Sequence, residues 1–412
     1  MSDQLKATAS AALSNTEHDK VALVPISLPK AEMHIHIGLA LSHEVFLRRI
    51  KKGRTSITPE FLIDRAHRYY DTLAHHHATY ERMRHITSTQ SELAQVTQDY
   101  LERIAREGAI YAELSSSFRD ANTFESQMDA VEEGIRCARA NTGIEARIVV
   151  TSIRNMGAAH AETVARHLAV HRRDLVTGFG LAGEENLNAF SEFKTALHIA
   201  WHEAGLGLAP HVAEQFVHNA VDFLEAVPKE ALNAHVDDTR RLRAGHATLI
   251  HLSSSLLERF AEHEICIEAC LSANKRINIP LETQAHKVGQ VVKTATGHQV
   301  TLDRPIRLYF KDLSQHPMAM FRKMGIPVCQ GSDNPLLQNT NIGKEKSLGV
   351  KAGLTDIAGA LEMTANAIRF ANVDMMTRLA LMQKVDLYRT AMRANRQPEA
   401  TPFGYRRAFN TI

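Results

Sequence analysis

The chain is short of three things at once: cysteine, long apolar runs and an excess of charge of either sign. Four cysteines in 412 residues, Cys137, Cys266, Cys270 and Cys329, do not build a disulfide framework. Cys266 and Cys270 have no second pair, which also excludes a zinc site built from four cysteines. Reduced thiols and a cytoplasmic location are expected. No stretch of about 18 consecutive apolar residues exists, so a spanning helix is excluded. Forty-eight Lys+Arg against 46 Asp+Glu leave a formal charge of +2, a field too weak to hold nucleic acid or an anionic membrane. Residues 1–20 are polar and lack the basic start and apolar stretch of a secretory signal.

What remains is an ordinary globular composition, 44% apolar and 23% charged. Eight short, β-branched apolar runs punctuate it: Ala31–Ile37, Ala109–Leu114, Ala146–Ile153, Val176–Leu181, Gly207–Val212, Leu242–His246, Ile265–Ala269 and Ile326–Gly331. Helical spacing fills the intervals, as in Glu92–Glu107, where Leu93, Val96, Tyr100, Leu101 and Ile104 share a face before Gly108. Strand and helix in alternation predict an α/β fold, specifically a (β/α)8 TIM barrel. Three regions stand outside the alternation. Residues 1–25 read as a flexible leader, 45–90 as an extra helical segment after the first strand, and 280–312 as an insertion before the last strand. Within the insertion, Val288–Lys293 and Gln299–Leu302 flank Thr-Ala-Thr-Gly-His, which predicts a β-hairpin near the barrel mouth. The barrel unit is expected over 26–385 and a C-terminal extension over 386–412. The triplet His75-His76-His77 lies in a helical pattern and reads as a solvated face.

Histidine is the abundant residue, 23 in all, so any single histidine motif has a high chance rate. His34-Ile35-His36 closes the first strand. Alternation points both imidazoles the same way, with Cα atoms about 7 Å apart, a spacing at which two nitrogens can meet one metal. Position adds weight. In a barrel, functional residues gather where strands end at their carboxyl side. His34 and His36 end the first strand, Gly183-Glu184-Glu185 follow the fourth, His211 ends the fifth with Glu214 close behind, His246 ends the sixth, and Ser332-Asp333-Asn334-Pro335 ends the eighth. Three neutral imidazoles and a carboxylate leave an open position on zinc, the pattern of a catalytic site.

These segments resemble, in order and spacing from about Pro29 to Thr364, the adenosine deaminase family of metal-dependent amidohydrolase barrels. Pro29-Lys30-Ala31-Glu32-Met33-His34-Ile35-His36 is similar to its P-K-x-E-L-H-x-H, and Tyr111-Ala112-Glu113-Leu114 to its second strand. Leu181–Glu185 resembles L-A-G-x-E, His211–Glu214 H-A-G-E, Gly245-His246 G-H, Glu268–Asn274 E-x-C-x-x-S-N, and Ser332–Pro335 [ST]-D-D-P. The resemblance implies one zinc per chain held by His34, His36, His211 and Asp333, with a water completing the sphere. It further implies that Asp333 accepts the proton of that water, that His246 stabilises the attacking hydroxide, and that Glu214 protonates N1 of a purine. Gly183 would offer its backbone amide to the base. The activity implied is hydrolytic deamination of a 6-aminopurine nucleoside or analogue, a small-molecule substrate.

Two departures stand out. Ile37-Gly38-Leu39 replaces the Leu-Asp-Gly or Leu-Asn-Gly whose polar residue reaches the ribose, so recognition on the sugar side is expected to differ. Asn334 replaces the second aspartate of the D-D pair, and its NH2 could donate to the base. Among rival readings, Gly178-Phe179-Gly180-Leu181-Ala182-Gly183 is formally a dinucleotide fingerprint. Glu203, however, precedes the next strand where such an acid should end it. An amidohydrolase acting on another C–N or ester bond shares the fold and metal set. A non-catalytic descendant would have lost a ligand or the proton shuttle, and neither is lost here.

Overall fold

The eight apolar runs become nine parallel strands, because a proline divides the fifth. They lie in a computed structural model that describes residues 24–51, 73–83, 87, 89–117, 123–233, 239–277, 286–307 and 312–394. The strands are β1 (Lys30–His36), β2 (Ala109–Ser116), β3 (Glu145–Ile153), β4 (Val176–Ala182), β5 (Gly207–Leu208), β6 (His211–Val212), β7 (Arg243–His246) and β8 (Cys266–Ala269). After the antiparallel pair β9 (Gln290–Lys293) and β10 (Gln299–Leu302), β11 (Val328–Gln330) completes the set. Pro210 has no N–H for a ladder, and the chain changes partners there. Ala209 still donates to Phe179 of β4 at 2.9 Å, whereas the Pro210 carbonyl accepts from Gly245 of β7 at 2.8 Å.

Strands β1 to β5 run in chain order in one sheet, and β6, β7, β8 and β11 in a second. Two seams close them into a barrel. At one, Leu208 N donates to Arg241 O at 2.8 Å; at the other, His36 N donates to Asp333 O at 2.8 Å and Asp333 N to His34 O at 2.7 Å. The second seam joins the first strand directly to the loop after the last, so segments from opposite ends of the barrel sequence become neighbours across one bridge, Ile35 with Asp333.

The connecting helices follow the sequence signals. Gln90–Arg106 starts at a capping box in which the Thr89 hydroxyl accepts from Glu92 N and the Glu92 carboxylate accepts from Thr89 N. Its Val96, Tyr100, Leu101 and Ile104 are buried, as their spacing requires. Of the 45–90 segment, the described parts include the helices His43–Lys51 and Leu73–Met83; residues 52–72 lie outside the described residues. So does almost all of the 1–25 leader. The helix Met375–Arg393 crosses the 385/386 boundary without a break, because Val385 and Tyr388 both pack into the core; the extension therefore does not begin at 386.

The hairpin forms in the register Gln299–Lys293 to Leu302–Gln290, with Val300 and Leu302 buried and their neighbours exposed. Asp303 N donates to Leu252 O at 3.1 Å, and the Thr296 hydroxyl donates to Asp222 at 3.1 Å. The hairpin thus packs on the segments that follow β6 and β7. No described residue of it lines the cavity that opens at the carboxyl ends of β1, β4, β6 and β7. No helix of the described residues is long and apolar enough to cross a membrane.

Candidate active site

The carboxyl ends of the strands meet around a cavity of about 270 Å³ lined by His36, Gly183, His211, Glu214, His246, Asp333 and Asn334, among others. His34 lies just beneath. Its ring is 4.6 Å from that of His211, 4.8 Å from that of His246 and 5.6 Å from that of His36, centroid to centroid. Such crowding needs a strand with no side chain between the rings. Gly245 supplies it: a Cβ there would stand 2.8 Å from the His34 ring and 3.2 Å from that of His211. Each of His34, His36 and His211 offers one nitrogen, and these three atoms lie within 4.8 Å of one another.

Burial decides the charge of these rings. It pushes His36 down to about 3, helped by the neighbouring His34 and His77, and takes His211 and His246 well below the ordinary imidazole range. Neutral imidazoles are what a metal takes. His34 differs. Burial pulls it down too, but the Glu268 carboxylate, 2.6 Å from Nδ1, raises it above the usual value. In the neutral ring, with Nδ1–H held by Glu268, the lone pair sits on Nε2, which is buried and has no hydrogen-bond partner. A buried acceptor nitrogen facing two other imidazoles is a donor set that could hold a cation. Asp333 Oδ1 stands 3.3 Å from His36 Nε2 on the same side.

Two other donor groupings compete, His34 with His246 and Cys270, and His211 with Glu214 and His246. Both are chemically poorer. The Cys270 thiol is pushed well above its normal range by burial and is no thiolate. His246 Nδ1 is already engaged by the Asn274 amide at 3.1 Å, whose oxygen faces His316 Nε2 at 3.2 Å. Since that amide nitrogen can only donate, the His246 proton belongs on Nε2, which points to Glu214 Oε2 at 3.7 Å.

Glu214 is buried, and burial, with the charges of Asp333 and Glu185 nearby, raises its carboxyl well above the usual range. Both effects favour its protonated form. Its loop is clamped by Glu185, whose carboxylate accepts from the backbone N–H groups of Glu214, Gln215 and Phe216 at 3.1, 2.9 and 3.0 Å. The second acidic residue of Gly183-Glu184-Glu185 is thus a positioning group. Gly183 itself adopts φ +102°, where a Cβ would meet Asn155 Oδ1 at 2.5 Å. Burial also raises Asp333, to about 6.

Four residues at the mouth hold left-handed backbone without being glycine: Ala213 (φ 47°), Ala247 (φ 48°), His246 (φ 58°) and Asp333 (φ 57°). For the last two, the strain aims a side chain into the site. Ala213 carries the same cost with nothing to aim. Relieving about 1–2 kcal/mol of left-handed strain against glycine's extra chain entropy of about 0.5–1, Ala213→Gly should stabilise the protein by on the order of 0.5–1 kcal/mol. Denaturant midpoints check it, and a loss of stability would contradict it.

The structure corrects one expectation and adds residues to the site. His76 is buried at 3% exposure, and both His76 and His77 line the cavity, so these two histidines do not form a solvated face. Burial lowers His77 to about 4. Asn334 does carry an NH2 into the site, but Nδ2 already donates to Asp333 Oδ1 at 2.8 Å and lies 3.4 Å from His76 Nε2; Oδ1 has no partner. The residues missed are those behind the first layer. Arg243 donates to Glu268 at 2.6 Å, to Glu113 at 2.5 Å and to Phe370 O at 2.8 Å, wholly buried. Glu32 accepts from the backbone and hydroxyl of Ser332 at 3.0 and 2.6 Å and from the Tyr100 hydroxyl at 2.9 Å, fixing the loop that carries Asp333. A charged residue in the middle of the apolar run Leu242–His246 was the available signal for Arg243.

Residues 29–311 match the family described as adenosine deaminase. The chain belongs to that family. It is a hydrolytic deaminase by that membership. An adenine deaminase of Sinorhizobium fredii is 29% identical over 360 residues, covering 86% of this chain and 97% of that one. The solved adenine deaminase of Arthrobacter aurescens superposes with a TM-score of 0.70 at 20% identity, covering 88% of this chain and 99% of that chain. An amidohydrolase of Burkholderia ambifaria, solved with zinc bound, gives 0.68 at 20% identity, covering 92% and 96%. At those identities the superpositions establish the barrel fold that the family members share.

Proposed function

We propose that this family member is a zinc-dependent deaminase that hydrolyses the exocyclic amine of a 6-aminopurine. The observation that carries the reading is the orphaned Nε2 of His34, facing His36 and His211, with Glu214, whose burial favours the protonated acid, across the same cavity. The ligand set is His34, His36, His211 and Asp333. Zinc bound there would lower the pKa of a water to about 7 and so supply a nucleophile at neutral pH.

The chain's own residues move the protons. Asp333, at the edge of the ligand set, takes a proton from the water and passes it on to the departing amine. Glu214 gives its proton to N1 of the ring, which makes C6 electrophilic. His246, with its proton on Nε2, donates a hydrogen bond to the oxygen as it gains charge. The Gly183 N–H orients the base. Water and amine become carbonyl and ammonia; of the two water protons, one leaves in the ammonia and one restores Glu214. Relatives named for adenine support a purine as the ring.

Elemental analysis is expected to find one zinc per chain. His211→Ala should lose both metal and ammonia release from 6-aminopurines. A protein without stoichiometric transition metal whose His211→Ala variant keeps its activity would overturn the assignment. A chain that binds zinc yet releases no ammonia from any 6-aminopurine would point instead to another C–N or ester substrate.

A further inference from the structure

Taken alone, the amide that stands between His246 and His316 could face either way. Asn274 Nδ2 lies 3.1 Å from His246 Nδ1, and its Oδ1 lies 3.2 Å from His316 Nε2. All three side chains are buried, the two histidines at 1% exposure and Asn274 at 3%. An amide flanked by two imidazoles has two self-consistent polarities, because each ring can carry its proton on either nitrogen and the amide can exchange its ends. In one, the donors run from His316 through Asn274 to His246. In the other every bond is reversed, the His246 proton sits on Nδ1, and a bare Nε2 faces the cavity. The choice decides whether His246 offers that cavity a hydrogen or a lone pair.

A backbone group breaks the tie. Met318 opens the short helix Met318–Lys323, and its N–H is a first-turn donor with no acceptor inside the helix. It points instead to His316 Nδ1 at 3.2 Å. A main-chain N–H can only donate, so His316 Nδ1 must accept. Burial pushes that ring down to about 3, so it is neutral and its single proton lies on Nε2. Asn274 Oδ1 accepts that proton's bond, Nδ2 donates onward, and His246 Nδ1 accepts. We infer that His316 is a positioning residue, which passes the polarity of the Met318 N–H through Asn274 and so keeps the His246 proton on Nε2. The reversed chain would set His316 Nδ1–H against the Met318 N–H, two buried donors with no acceptor between them. The relay joins residues 42 positions apart, from the helix Leu271–Arg276 to the turn before Met318, on either side of the hairpin. With Nε2 protonated, His246 presents a donor on the side of Glu214 and no lone pair there for a cation.

What the inference says of turnover rests on the deaminase reading above. The test uses the full zinc-loaded chain with isotopically labelled histidine nitrogens, the His246 signals being identified by their loss in His246→Gln. Nitrogen shifts report which ring atom carries the proton, independently of activity. The parent should show His246 protonated on Nε2 alone. Asn274→Asp places a carboxylate, which can only accept, between the two rings, so the His246 proton should move to Nδ1. With the donor to the developing oxyanion lost, kcat on a 6-aminopurine should fall on the order of 10²–10³-fold with KM little changed. His316→Leu leaves the amide free to turn, so both His246 tautomers should appear and kcat should fall severalfold. The inference is overturned if the parent carries the His246 proton on Nδ1, if either variant folds and leaves that proton in place, or if the proton moves with kcat unchanged. If the nitrogen shifts follow the scheme and the parent releases no ammonia from any 6-aminopurine, the deaminase reading fails and the relay stands.

Discussion

Glu214→Gln is expected to keep its zinc and lose on the order of 10²–10⁴-fold in kcat. The argument starts from burial. A carboxylate here would have lost its water while facing Asp333 and Glu185, so the acid holds its proton well above the usual range. A neutral carboxylic acid and a carboxamide have nearly the same shape, and either can donate a hydrogen bond to a ring nitrogen. Only the acid can release the proton. The loop should not move, because the clamp from Glu185 grips the backbone of residues 214–216 and not the side chain. The loss should therefore fall on kcat, with metal content and fold unchanged. Asp333→Ala, by contrast, removes both a ligand and the base and should lose zinc and activity together. Metal analysis beside steady-state kinetics separates the two. A fully active Glu214→Gln, or one that fails only by losing zinc, would contradict the proton-donor role.

The parts of this architecture that could be read from the residues are those governed by local period. Strand runs such as Ala146–Ile153 and Val176–Leu181 coincide with β3 and β4 to within a residue or so, because burial on both faces forces a continuous apolar stretch. The placement of His34, His36, His211, His246 and Asp333 at strand ends followed from the same reading, since a barrel brings all such ends to one face. Gly207–Val212 read as one strand because its apolar run is continuous, yet Pro210 was the visible sign of the break.

What could not be read depends on contacts between distant segments. Nothing in the spacing of Leu73–Met83 tells which of its faces meets the cavity, so His76 and His77 looked like solvated residues. The orientation of Asn334 is set by Asp333 and His76, one adjacent and the other 258 positions away.

The largest stability effect is expected at Arg243, which touches no substrate. Its guanidinium lies fully buried between Glu113 and Glu268 and caps the Phe370 carbonyl, three acceptors met by one planar fork. Glu268 in turn holds His34 Nδ1. Burial pushes the Glu268 carboxyl up, but Arg243 and His34 pull it below the ordinary range. A depressed carboxyl contributes stability that is present above its unfolded value and lost as pH falls through the folded one. Arg243→Met reverses that sign. With the cation gone, burial dominates, Glu268 prefers its proton in the folded state, and the folded form is penalised as pH rises above about 4–5, the unfolded carboxylate range. Breaking one side of a buried ion network costs about 3–5 kcal/mol, so Arg243→Met should be destabilised by that order near pH 7 and by visibly less near pH 5. Arg243→Lys should not rescue it, because one ammonium on a different stem cannot reach three acceptors laid out for a fork. Zinc affinity should fall as well, since Glu268, once it prefers its own proton, holds the His34 Nδ1–H less firmly. Denaturant unfolding at the two pH values, with zinc affinity measured on the folded fraction, tests the whole chain of contacts. A variant within about 1 kcal/mol of the parent at pH 7, with unaltered metal binding, would show that Glu268 holds His34 without help from Arg243.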